Sequence, residues 1–91
     1  SFISVKKILS RVPAVLEDSG SCLALIKPQF ELGPDKLGKG GIVRDPTLHL
    51  EAVRQVINSE AQNGLLFRAE CPSPITGKEG NREFFVLFDK K

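Results

Sequence analysis

Five apolar residues in succession, Cys22-Leu23-Ala24-Leu25-Ile26, run into Lys27 and are halted by Pro28. No other stretch so narrows what this chain can fold into. A continuous apolar run without alternation predicts a strand over 22–27 buried on both faces, as in the parallel sheets of α/β proteins. Ligands of open α/β sheets sit just beyond the carboxyl ends of the strands. Lys27 occupies that end. It is either a lysine snorkelling to water at a strand terminus or a residue that takes part in chemistry, and the strand pattern alone leaves both open.

Around this strand the remaining elements follow in order. Val5, Ile8, Leu9, Val12, Val15 and Leu16 fall on one helical stripe, with Ser4 as its cap, Gly20 as its stop and a break near Pro13. Beyond Pro28 the spacing predicts a long irregular connection through residues 31–44. Its centre, Gly38-Lys39-Gly40-Gly41, sets a cation between residues that allow close backbone approach to a ligand. It is not a Walker loop, and a plain surface loop is the competing reading.

Asp45-Pro46 opens a second helix, 46–62, which Asn63-Gly64 ends. Leu50, Val53, Ile57 and Ala61 share its predicted inner face, flanked by Val56, and His49 near its first turn reads as a surface or packing residue. Residues 65–71 alternate as an edge strand stopped by Pro72 and Pro74. The run Glu83-Phe84-Phe85-Val86-Leu87-Phe88 is a second continuous apolar strand, and Asp89-Lys90-Lys91 reads as a frayed tail.

Assembly follows from burial. Strand 22–27, helix 46–62 and strand 65–71 suit a right-handed parallel crossover. The apolar last strand must be interior, so it lies between the other two and antiparallel to both. Its beginning then meets the end of the first strand, which brings Lys27 and Glu83 to one sheet edge. A basic and an acidic residue meeting there are either a site or a structural ion pair. One edge of the first strand and one face of the sheet are left without partners, so the chain reads as part of a larger sheet that self-associates when alone.

Composition limits the rest. A net charge of +2 does not by itself announce nucleic-acid binding. No apolar run approaches the roughly 20 residues of a membrane span, and no signal peptide opens the chain. Cys22 and Cys71 read as inert reduced thiols, which suggests the cytoplasm. No set of metal ligands is evident. The absence of any methionine, including an initiating one, is read as the mark of a piece cut from a longer protein.

The segments Ser1-Phe2-Ile3-Ser4, Ala24-Leu25-Ile26-Lys27-Pro28-Gln29-Phe30-Glu31, Gly38-Lys39-Gly40-Gly41-Ile42-Val43-Arg44-Asp45-Pro46, Pro72-Ser73-Pro74 and Gly80-Asn81-Arg82-Glu83-Phe84 resemble the TlyA-type proteins. These carry the name hemolysin and are related to the FtsJ/RrmJ-like RNA 2′-O-methyltransferases. The resemblance implies an α/β fold: the C-terminal part of a Rossmann-like, S-adenosylmethionine-dependent methyltransferase domain. That part would hold a three-stranded mixed sheet, its last strand antiparallel between the other two, and two main helices. It implies a Lys-Asp-Lys-Glu catalytic set in which Lys27 is the second lysine and Glu83 the glutamate. The aspartate would lie just before Ser1, and the cofactor site and an S4-like RNA-binding domain further upstream.

On this reading residues 1–91 are one incomplete domain, inactive alone, from an enzyme that methylates ribose hydroxyls of ribosomal RNA. Lys27 would orient the hydroxyl and accept its proton; an ordinary lysine is charged and a poor base at neutral pH, so that role needs burial or neighbouring cations. Lys39, Gly40, Gly41, Arg44, Lys78 and Arg82 would contact the RNA. The competing functions are a free-standing RNA-binding module and a membrane-lytic protein. The latter lacks a stretch with one basic and one bulky apolar face.

Overall fold

A computed structural model describes Leu9, residues 12–76 and residues 80–91. Its regular elements are strand β1 (Ser21–Ile26), the short helix α1 (Pro28–Glu31), helix α2 (Pro46–Gln62), strand β2 (Leu65–Pro72) and strand β3 (Phe84–Lys90). Single 3-10 turns lie at Pro34–Lys36 and Lys39–Gly41. The sheet order is β1-β3-β2, with β3 antiparallel to both neighbours. The interior position belongs to β3 because its Val86 and Phe88 have no exposed surface.

Helix α2 begins where the sequence predicts. Asp45 accepts a hydrogen bond from the Thr47 N–H at 2.8 Å, and Pro46 fills the first turn, where a missing N–H costs nothing. Asn63 closes the helix, and Gly64 (φ 98°) turns the chain into β2. The buried face is rotated from the expected one. Ala52, Val53, Val56 and Glu60 are buried, whereas Leu50 is 47% exposed; Val53 and Val56 share the core with Ile26 of β1 and Leu65 of β2.

Together with Leu9, α2 covers a single face of the sheet. Cys22, Ala24 and Ile26 of β1 meet Phe84, Val86 and Phe88 of β3 and Leu65 of β2 on that face. The expectation that β1 is buried on both faces is corrected. Leu23 is 64% exposed and Leu25 half-buried, since their register partners Leu87 and Phe85 lie on the opposite face, away from α2. Ala69 and Cys71 pair with the same two residues and continue this bare apolar face across β2. Both cysteines are free thiols; partial burial pushes the Cys22 thiol pKa up, and Cys71 is exposed.

Four other expectations change. Residues 12–18 form turns and bends rather than a helix, and Val15 is 81% exposed, although Leu9, Val12 and Leu16 of the predicted stripe do pack in or against the core; its Val5 and Ile8 lie outside the described residues. The connection after Pro28 is ordered, since proline starts a helical turn as readily as it ends one: Leu32, Val43 and Ala52 form a small second core, flanked by Leu37 and Leu48. The Lys36 ammonium donates to Glu51 at 2.6 Å, which pins this connection to α2 and raises the lysine pKa. A bulge between Phe67 and Ala69 breaks the alternation of β2. Finally, Asp89 and Lys90 belong to β3. The Lys90 N–H donates to Gly20 O (3.0 Å) and its Nζ to Leu16 O (2.7 Å), so the tail is tied down rather than frayed.

Candidate active-site edge

The register Ile26↔Phe84 puts the next residues outward, Lys27 and Glu83, at one edge of the sheet. Lys27 caps α1 with an extended backbone (φ −111°, ψ 103°), so strand alternation starts its side chain on the bare side with Leu25. By the same alternation Glu83 lies with Phe85. Both residues are half-buried. They are not an ion pair: the Lys27 ammonium lies instead over the Phe30 ring, 5.5 Å from its centroid. The Ser73 N–H donates to the Glu83 carbonyl at 2.8 Å and carries the β2–β3 pairing up to this position.

Beside this edge stands the glycine connection. Gly40 (φ 75°) and Gly41 (φ 77°) are left-handed, and a Cβ at either would meet nothing within 4 Å, so they face open space. Gly38 differs, because a Cβ there would lie 2.7 Å from Ile42 O. Lys39 is exposed, and its carbonyl accepts from Arg44 Nη1 at 3.4 Å. Arg44 and Arg82 line one groove of about 720 Å³, with Pro46 and His49 from the start of α2 and Glu70 and Pro72 from β2. Lys78 lies outside the described residues. The remaining predicted RNA contacts therefore form two groups: Lys39, Gly40 and Gly41 at the loop tip, and Arg44 and Arg82 in the groove.

Sequence reasoning missed Asn81 and undervalued His49. Asn81 is only 4% exposed; its Oδ1 accepts from the Val43 N–H at 2.9 Å and its Nδ2 donates to Gly41 O at 3.2 Å. His49 Nε2 lies 2.6 Å from Val43 O, and its ring packs against Phe84 with centroids 5.5 Å apart. His49 is thus a packing residue, as expected, yet it forms a wall of the groove. A Gly-Asn pair ahead of a strand reads as an ordinary turn, so no local signal marks Asn81 as buried.

The comparisons with known proteins agree with this geometry. The family model for the FtsJ-like methyltransferases matches residues 1–90. A Bacillus subtilis protein provisionally named an rRNA methyltransferase, YqxC, is 43% identical over 94% of this chain and 31% of its own length. The 16S/23S rRNA (cytidine-2′-O)-methyltransferase TlyA of Mycobacterium tuberculosis is 34% identical over 94% of this chain and 32% of its own. A crystal structure of a Lactococcus lactis protein, provisionally called a hemolysin, superposes with a TM-score of 0.93 at 42% identity, covering all of this chain and 43% of that one. The chain thus spans about a third of the length of the curated relatives it matches. With the family model matched over residues 1–90 and the fold shared with the Lactococcus lactis structure, the chain belongs to the FtsJ-like methyltransferase family.

Proposed function

We propose that this chain is the C-terminal part of a single methyltransferase domain whose whole protein transfers a methyl group from S-adenosylmethionine to a ribose 2′-hydroxyl of ribosomal RNA in the cytoplasm. The observation that carries the reading is the meeting of Lys27 and Glu83 at one sheet edge, on the same side, in a chain of this family. Lys27 orients the hydroxyl and takes its proton as the oxygen becomes methylated, and Glu83 shares the same sheet edge as its acidic neighbour.

The residues of this chain do not fit the cofactor. β1 runs into Lys27-Pro28 with no glycine turn, and the left-handed Gly40, Gly41 and Gly80 face open space rather than closing a cradle. S-adenosylmethionine is therefore held by the rest of the whole protein, and these 91 residues alone transfer no methyl group. The whole protein is expected to bind S-adenosylmethionine and to methylate ribose 2′-oxygens of its ribosomal RNA. Isothermal titration and mass mapping of the RNA check this, and methylation of a base instead would overturn it.

Two other readings stand against this one. A free-standing RNA-binding module would bind RNA through these residues alone, with strong salt dependence; we expect none at low salt. For a lytic function, suggested by the hemolysin name of the Lactococcus lactis structure, no helix among the described residues is long and apolar enough to cross a membrane. Liposomes exposed to the whole protein should retain their contents.

The bare face carries a further expectation. Leu23, Leu25, Phe85 and Leu87 form a contiguous apolar surface beside the unpaired edge of β1. The isolated chain is expected to self-associate with rising concentration in sedimentation. The double variant Leu23→Lys, Leu87→Lys should shift it to monomer; an unmodified chain that is monomeric at high concentration would refute this.

A further inference from the structure

We propose that Arg44 and Arg82 form a clamp for one backbone phosphate of the RNA strand, on the side of the sheet opposite to Lys27 and Glu83. The inference rests on the RNA-methyltransferase reading above and adds to it a second contact point for the strand. Two loops 38 residues apart are joined by one buried side chain, because the Asn81 Oδ1 accepts from the Val43 N–H. In each loop the next residue is an arginine, Arg44 after Val43 and Arg82 after Asn81. The amide that joins the loops thereby brings two arginines to the lining of one groove, where the Arg44 guanidinium makes a long 3.4 Å bond to the Lys39 carbonyl.

Three observations point to a phosphate. Both arginines are exposed, and neither forms an ion pair among the described residues, where Lys36, Arg68 and Lys90 do. Two unneutralised cations sharing a groove repel one another until an anion enters, and a guanidinium matches phosphate oxygens bidentately. Glu70 is the acidic residue lining the groove, set against the two arginines, so the lining suits a single phosphodiester rather than a polyanionic tract.

The wall behind the clamp is rigid. His49 packs on Phe84 and sits 2.6 Å from the carbonyl of Val43, whose N–H already belongs to Asn81. Strand alternation separates the two contact points. Phe84 lies on the α2 side of the sheet and Glu83 on the other, so a strand held by the clamp crosses the sheet edge and presents a flanking nucleotide to Lys27. Asn81 is then a positioning residue, which sets the spacing of the two arginines without touching RNA.

The test uses the whole protein and a labelled single-stranded RNA oligonucleotide, with binding measured across a salt series. The Arg44→Ala, Arg82→Ala double variant should lower the slope of log K against log salt by about 0.7, the value for one lost phosphate contact on a single strand, and each single variant by part of that. Arg44→Lys and Arg82→Lys should keep the slope, and Arg54→Ala, on the exposed side of α2, should leave it unchanged. Asn81→Asp retains an acceptor for Val43 but loses the donor to Gly41, and should reduce the slope while its melting curve stays cooperative. An unchanged slope in the Arg44→Ala, Arg82→Ala double variant, or no RNA binding by the unmodified protein, overturns the clamp. Slope loss in a protein that transfers no methyl group would sustain the clamp and reject the methyltransferase reading; transfer with an unchanged slope would do the reverse.

Discussion

Replacing Lys27 by alanine in the whole protein is expected to lower the rate of 2′-O-methylation by about 10²–10⁴-fold, the usual weight of a positioned acid–base group, while S-adenosylmethionine binds as before. The half-buried side chain packs over Phe30 and outside the main core, so its loss leaves the fold in place. Single-turnover methylation under saturating RNA measures the effect. Lys27→Arg separates the two parts of the role: it keeps a donor that can orient the hydroxyl but gives up proton acceptance, and it should be nearly as slow as alanine. A Lys27→Ala protein that binds the cofactor and methylates at the normal rate would remove Lys27 from the chemistry. Glu83→Gln should be milder, because it leaves the lysine present and alters only its acidic neighbour.

The second large effect concerns stability and contrasts two neighbouring kinds of phenylalanine on one strand. Phe88 has no exposed surface, lies opposite Cys22 and Phe67 in the sheet, and belongs to the main core. Truncation to alanine should cost about 3–5 kcal/mol, a large part of the about 5–15 kcal/mol that holds a typical domain folded. Phe85 points to the bare face and is half-buried, so Phe85→Ala in the isolated chain should cost less than half as much. Urea unfolding of both variants, made in the charged monomeric background so that association does not contribute, gives the comparison. Equal costs would mean that the bare face is already covered in the isolated chain. In the whole protein the difference should narrow if the remainder of the domain packs on that face.

Much of this architecture is legible in local pattern. Continuous apolar runs at 22–26 and 84–88, a proline-capped helix with polar spacing, and an alternating segment with prolines at its end suffice to derive the strand order β1-β3-β2. The reason is physical: an entirely apolar strand is most stable with partners on both edges, and this chain offers one such arrangement. The same logic brings Lys27 and Glu83 to one edge. What local pattern misjudged is the environment of each face. β1 reads as doubly buried because its residues are apolar on both sides, yet one side has nothing on it among the described residues. The inner face of α2 reads as Leu50, Val53, Ile57 and Ala61 flanked by Val56; Val53 and Val56 are buried as expected, while Leu50 is exposed and Ala52 and even Glu60 are buried instead. A helix alone carries no information about the angle at which it crosses a sheet.

The residues around the edge show the same division. Glycines, prolines and the Asp45 cap announce their backbone roles, because φ preferences and capping bonds are local chemistry. Asn81 announces nothing, since its partners Val43 and Gly41 lie some forty residues away and exist for it only once α2 and β3 have packed. Sequence by itself determined the three strands, the long helix, the strand order and the placement of Lys27 and Glu83 at one sheet edge, all of which follow from hydrophobic pattern and connection length. Only the tertiary structure decided which side chains α2 covers on the sheet, that Lys27 lies over Phe30 rather than against Glu83, and that a buried amide joins the loops that carry Arg44 and Arg82. Those depend on contacts between residues far apart in the chain, which arise from packing and have no local signature.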